Sequence, residues 1–189
     1  MPLTTIDTNT ALVVIDLQKG IVAYPTVHPI GAIVERSARL AQAFRARGLP
    51  VVLVNVAGRA PGRTDAGPNA PKLPSDPAWA ELVPELAQQD SDCLITKHRL
   101  GAFLGTELDS YLRARGVTQI VLTGVATSIG VESTARSAYD LGYNVTLVTD
   151  AVTDMNPETH QHTVEKIFPR LGETGSTDGV LALLAARPA

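Results

Sequence analysis

Five short runs of apolar, β-branched-rich residues recur along the chain, at 11–16, 51–56, 93–96, 119–124 and 144–149. A strand with one face in water alternates polar and apolar residues, whereas a strand covered on both faces is apolar almost throughout. The runs therefore read as five parallel strands buried on both sides. Amphipathic patterns fill the gaps between them. The stretch 33–48 puts Ile33, Leu40, Ala41 and Phe44 on one helical face and stops at Gly48, where a left-handed end is cheap. The stretch 106–116 repeats the device, with Leu108 and Leu112 inward, Gly116 as the stop and Thr106 as a candidate N-cap. A further helix is expected over 131–142, another over 177–187, and a short sixth strand near 171–175. Strands alternating with helices at these intervals predict an α/β fold, with a three-layer α/β/α Rossmann-like arrangement around a central parallel sheet of five to six strands. One domain covering 1–189 is expected.

The stretch 57–77 breaks this pattern, being rich in proline and glycine and without hydrophobic period. A linker here would leave neither half a whole sheet, so the segment reads as one long loop of the lid or binding kind. Arg59 and Arg63 offer two carboxylate clamps on it, although solvated arginines are the commoner outcome.

Sixteen Lys and Arg against 19 Asp and Glu give a net charge of −3, with no basic run to meet a nucleic acid. No apolar stretch approaches a membrane span and no leader pattern opens the chain. A single cysteine, Cys93, cannot build an internal disulfide framework and reads as a small core residue. These features predict a cytoplasmic protein whose partner is a small molecule, without nucleic acid or membrane.

Open α/β sheets bind ligands beyond the carboxyl ends of their strands. Asp16 follows the first predicted strand, Lys97 the third, and the turn at 125–130 the fourth. Alone, an Asp after a strand is usually a cap and a Lys is usually solvated; the three converging on one rim, together with the family resemblance that the residues around them carry, reverse those odds.

Asp16-Leu17-Gln18, Lys97-His98-Arg99 and TGVATSIGVESTAR at 123–136 together resemble the isochorismatase-like hydrolase family over roughly residues 10–187. The resemblance implies an Asp, Lys and Cys triad in which the nucleophilic cysteine stands at the position of Gly130. Here that nucleophile is absent. True isochorismatases, which cleave a vinyl ether by proton transfer, also carry a small residue at this point, while the VESTAR helix is similar to that of cysteine members. The implied catalytic set is Asp16, Lys97 and Gly130, and the implied substrate-binding set is Gln18, Arg99, Phe103, Ala126 and Ile129. Tyr24 and Trp79 join Phe103 as candidate apolar walls.

Without a thiol, Asp16 can serve as general acid while water attacks, with Lys97 supporting the charge. Gly130 would leave room where the sulfur sits and, at the start of the 131–142 helix, aim backbone N–H groups at developing negative charge. The expected activity is hydrolysis of a small carboxylated molecule with neither metal nor other cofactor. The alternative is a catalytically silent member that serves as a small-molecule binding or oligomeric interaction protein. The resemblance further implies a homo-oligomer and a cis peptide between Val125 and Ala126. The nicotinamidase branch holds a metal through an Asp and histidines after the second strand, but residues 54–65 contain no histidine, and His160 and His162 lack i, i+4 spacing.

Overall fold

In the computed structural model, residues 3–65, 67, 73, 74 and 76–187 are described. Six strands form one parallel sheet: β1 Thr10–Ile15, β2 Val51–Val56, β3 Cys93–Lys97, β4 Gln119–Val125, β5 Asn144–Thr153 and β6 Glu173–Gly175. Their spatial order is β3-β2-β1-β4-β5-β6, that of a doubly wound sheet, whose strand order reverses between β1 and β4.

Every residue of β1 and β4 is buried, as their unbroken apolar runs require. Successive side chains of β1 feed opposite faces. Ala11, Val13 and Ile15 pack with Leu108, Leu112 and Phe168 on one side; Leu12 and Val14 pack with Ile33, Leu40 and Phe44 on the other. The helices supplying these faces are α2 Ile30–Ala46, α3 Leu108–Ala114, α4 Glu132–Asp140, α6 Phe168–Leu171 and α7 Thr177–Ala186, with shorter α1 Lys19–Val22 and α5 Pro157–His162. The expected stops at Gly48 and Gly116 are left-handed, with φ of 66° and 63°. The expected N-cap at Thr106 falls one residue early: Glu107 holds the cap position of α3 without a side-chain cap bond, while the Thr106 hydroxyl accepts the Leu108 backbone N–H at 3.2 Å.

Three expectations need correction. The third strand is not buried on both faces: β3 is an edge strand, and Leu94 and Thr96 on one side of it are exposed. The fifth strand runs on to Thr153, four residues past the expected end, after an irregularity in its pairing with β4 between Leu122 and Gly124. The fourth helix begins earlier than residue 131, because a π-helical turn, Thr127–Val131, precedes α4.

The described part of the 57–77 loop returns to the sheet through a 3₁₀ turn, Pro77–Ala80, capped by the Asp76 carboxylate on Ala78 N. Gln18 holds both ends of this excursion. Its Nε2 donates to Val56 O at 3.2 Å and Trp79 O at 3.1 Å, and its Oε1 accepts from Val56 N at 2.7 Å. Among the described residues, no helix is long and apolar enough to cross a membrane.

Candidate active site

The chain leaves β1 at Asp16 with φ of 52°, a left-handed conformation unusual for a residue other than glycine. Its backbone N–H donates to Val54 O at 2.9 Å, which holds the turn against β2. Strained backbone of this kind persists only where surrounding structure over-determines it, and it clusters at functional sites. The Asp16 side chain meets Lys97, the last residue of β3, with Nζ 2.8 Å from Oδ2. Lys97 Nζ also donates to Arg99 O at 3.3 Å.

Both partners are almost fully enclosed, Asp16 being 5% and Lys97 2% exposed. Burial penalises a charged carboxylate while a neighbouring cation favours it. Burial wins here: it raises the Asp16 pKa from 3.8 to about 6, against the opposing charge and hydrogen bond of Lys97. The other carboxyl oxygen, Oδ1, is buried and has no hydrogen-bond partner. An orphaned acceptor beside a bonded one leaves Asp16 with one oxygen held and one able to engage a ligand.

The third component follows β4. The Val125–Ala126 peptide is cis, as the resemblance implied. Gly130 is buried inside the π-helical turn, and a Cβ at this position would lie 3.3 Å from Asp16 Oδ2, 3.3 Å from Val125 O and 3.0 Å from Ile15 Cγ2. Glycine thus keeps the carboxylate's flank clear, and any side chain here would press on it. The turn is braced from outside: Asp154 Oδ2 accepts from Ser128 N at 2.7 Å and Ser128 Oγ at 2.8 Å, while Thr134 Oγ1 donates to Gly130 O at 2.7 Å.

These bonds correct one expectation. Gly130 does not open a helix whose first amides all point into the cleft, since Ser128 N is taken by Asp154, and Ile129 N and Val131 N both donate to Ala126 O.

Asp16, Lys97, Gly130, Arg99, Ala126 and Ile129 line one cleft of about 190 Å³. Arg59 from the long loop joins them, and Ile21, Val56, Leu73, Leu100 and Met155 supply apolar walls. Gln18 and Phe103 do not line it, contrary to expectation. The amide of Gln18 is fully buried and engaged by the loop ends; Phe103 is a core residue whose ring centroid lies 5.9 Å from that of Tyr143. Arg63, Tyr24 and Trp79 also lie outside the lining. Cys93 is half-buried and packs against the core, where burial pushes its thiol pKa up. Among the described residues, no three His, Cys, Asp or Glu side chains are grouped so as to hold a metal ion.

Sequence reasoning missed Asp154 and Met155. The rule that located Asp16, a functional residue at the carboxyl end of a strand, applies equally to Asp154, but the apolar run of β5 suggested an end at 149, and Asp150 in the middle of the strand hid its continuation.

A parallel doubly wound sheet with a buried Asp–Lys pair at its switch point defines the class, and comparison with known proteins gives the family. The isochorismatase domain model matches residues 10–179. The isochorismatase family protein YwoC of Bacillus subtilis (strain 168) is 44% identical over 180 residues, which span 92% of this chain and 93% of YwoC. An isochorismatase family protein from Burkholderia thailandensis superposes with a TM-score of 0.90 at 46% identity, covering 96% of this chain and 98% of that one. Ureidoacrylate amidohydrolase RutB of Stutzerimonas stutzeri (strain A1501) is 40% identical over 111 residues, 57% of this chain and 44% of RutB. The chain belongs to the isochorismatase family and is a hydrolase.

Proposed function

We propose that this hydrolase cleaves a small carboxylated molecule by acid–base chemistry, with Asp16 as general acid and no covalent enzyme intermediate. The observation that carries the reading is the Asp16 carboxyl itself: it lines the cleft with one oxygen, Oδ2, bonded to Lys97 and the other, Oδ1, unpartnered. A general acid must hold its proton near the working pH and deliver it to an atom within hydrogen-bond reach. A pKa of about 6 meets the first condition, and the unpartnered Oδ1 of a residue that lines the cleft supports the second.

In this reading Asp16 gives its proton to a carbon or oxygen of the substrate, and water adds to the centre made electrophilic, whose bond to the leaving group breaks so that the group departs carrying a proton. The proton released by that water then returns to the Asp16 carboxylate. The Lys97 ammonium stabilises the carboxylate while the proton is away. Arg59 and Arg99 line the same cleft and favour an anionic group, to which a planar guanidinium can give two parallel hydrogen bonds. Ile129 and Ala126 bear on the substrate's apolar part. The name of the relative RutB, ureidoacrylate amidohydrolase, supports a small carboxylate as the substrate class.

The test is a survey of small carboxylated metabolites by mass spectrometry, run in ¹⁸O water with wild-type and Asp16→Asn protein. A compound consumed only by the wild type, with one ¹⁸O in the product and no mass added to the protein, fits. A covalent adduct during turnover, or equal consumption by Asp16→Asn, overturns the mechanism.

We further read the chain as a cytoplasmic homo-oligomer. Leu94 on the edge strand and Leu100 and Leu104 beyond it are 48%, 61% and 70% exposed, and a run of exposed leucines is apolar surface for a second copy to cover. A strict monomer in sedimentation at micromolar concentration would rule this out.

A further inference from the structure

Behind the turn that carries Gly130 lies a pair of imidazoles with no part in the chemistry above. His160, in α5, places Nδ1 2.9 Å from the hydroxyl of Thr127, the first residue of the π-helical turn. Its ring meets that of His28 edge-on, with centroids 4.7 Å apart and planes at 63°. His28 Nδ1 is 3.2 Å from the Thr153 hydroxyl, which also accepts the His28 backbone N–H at 3.1 Å. Thr153 ends β5 and pairs with Val125 at the end of β4. The His28 ring is therefore held at the end of β5, beside the end of β4 from which the turn springs, and the His160 ring on the turn itself. His28 is exposed and His160 half-buried, so a proton from solvent can reach the pair.

The bond to Thr127 depends on charge. Neutral His160 can either accept the Thr127 hydroxyl proton at Nδ1 or donate its own; protonated His160 can only donate. Two imidazoliums at the observed spacing also repel, which costs the edge-on contact. The groups whose charge reaches His160 are His28, ahead of α2, and Asp154, at the end of β5. The π-helical turn Thr127–Val131 contains no titratable side chain. Nearby Glu132 is engaged by Thr163 and Arg136, and Glu165 by Gln161. Burial, then His28, hold the His160 pKa below the usual imidazole range against the pull of Asp154.

We propose that His160, backed by His28, is a positioning residue for the Gly130 turn, holding it through Thr127 and shifting it on protonation, when the Thr127 hydroxyl can only accept and the two rings repel. Its importance for turnover rests on the cleft being the active site, whereas the coupling itself can be read without any substrate.

The experiment is an NMR titration of isotope-labelled protein that follows the His28 and His160 ring signals together with the backbone amides of residues 128–131. The turn amides should move with the midpoint of the His160 ring. In His160→Gln and in Thr127→Val, that pH-dependent displacement should fall by more than half. Thr127→Val keeps a titrating His160, so loss of the amide response there isolates the hydroxyl link. Any part that follows Asp16 survives in both variants. Turn amides that stay still while His160 titrates, or move as much in both variants as in the wild type, overturn the proposal. Either result is independent of whether Asp16→Asn affects hydrolysis, so failure of the coupling is distinct from failure of the catalytic reading.

Discussion

Lys97 Nζ reaches Asp16 Oδ2 at 2.8 Å although the two residues leave strands that are not neighbours, β2 lying between β3 and β1. Two strand spacings amount to about 10 Å, a gap that a long, unbranched ammonium side chain can help to bridge. The pair thus ties the edge of the sheet to its switch point and places a positive charge in contact with Asp16 inside an enclosed site. Removing either member strands the other without its partner, which for buried pairs costs about 3–5 kcal/mol.

Asp16→Asn should lower kcat by a factor on the order of 100 or more, the usual worth of a positioned proton donor. Steady-state kinetics on the substrate found by the survey, with circular dichroism to confirm the fold, measures it. Unchanged kcat would remove Asp16 from the mechanism.

The pH profile should fall on its alkaline side. Burial raises the Asp16 pKa from 3.8 to about 6, so the folded protein keeps the acid form up to that point and loses it as pH rises further. An enzyme needing the acid form loses kcat/KM through about pH 6; one using Asp16 as base gains activity over the same interval. A rising limb centred there would reverse the assigned role.

Lys97→Met removes the charge and hydrogen bond that lower the Asp16 pKa and leaves the burial that raises it. Asp16 should then titrate above 6, seen as a neutral carboxyl stretch in difference infrared spectra that persists to higher pH. Turnover should nevertheless drop, because the carboxylate formed after proton transfer has lost its stabilising ammonium. A midpoint at or below that of the wild type would show that Lys97 does not set Asp16.

Gly130→Cys tests the space beside the carboxylate. Its Cβ would sit 3.3 Å from Asp16 Oδ2, so the new thiol has a base and an ammonium close by. It should alkylate with iodoacetamide faster than Cys93, whose thiol pKa burial raises, and it should block the native reaction. Peptide mapping after a short exposure distinguishes the two sites; an inert residue 130 would argue against a cysteine-hydrolase scaffold.

Chelation should have no effect on activity. The 54–65 stretch offers no histidine, and structural or catalytic zinc depends on His and Cys donors grouped within bonding distance. Loss of activity in EDTA that zinc alone restores would reveal a ligand set that this reading overlooks.

Much of this architecture was legible from the chain because buried parallel strands write themselves as mainly apolar runs, as β1, β2 and β4 do. Asp16 and Lys97 were found because each directly follows such a run. What stayed hidden depends on partners that sequence spacing does not encode. Phe103 and Gln18 stand beside site motifs, yet packing turned one into the core and backbone hydrogen bonding claimed the other. The brace of Asp154 on Ser128 joins positions 26 residues apart, and the contact of His28 with His160 joins parts of the chain further apart still.

The Gln18 amide gives the long excursion after β2 a clasp at each end, on Val56 and on Trp79. Closing a loop costs little more when the loop is lengthened, because the entropy grows only with the logarithm of its length. With the clasp in place, residues between 57 and 77 can be exchanged, shortened or extended while the sheet and the Asp16–Lys97 pair stay where they are. Arg59 and Leu73 enter the cleft from this interchangeable segment, whereas Asp16, Lys97 and Gly130 come from elsewhere. On the function proposed above, the protein would separate a replaceable selectivity cassette from a fixed reaction centre, and grafting the corresponding segment of a relative should retarget the enzyme without rebuilding it.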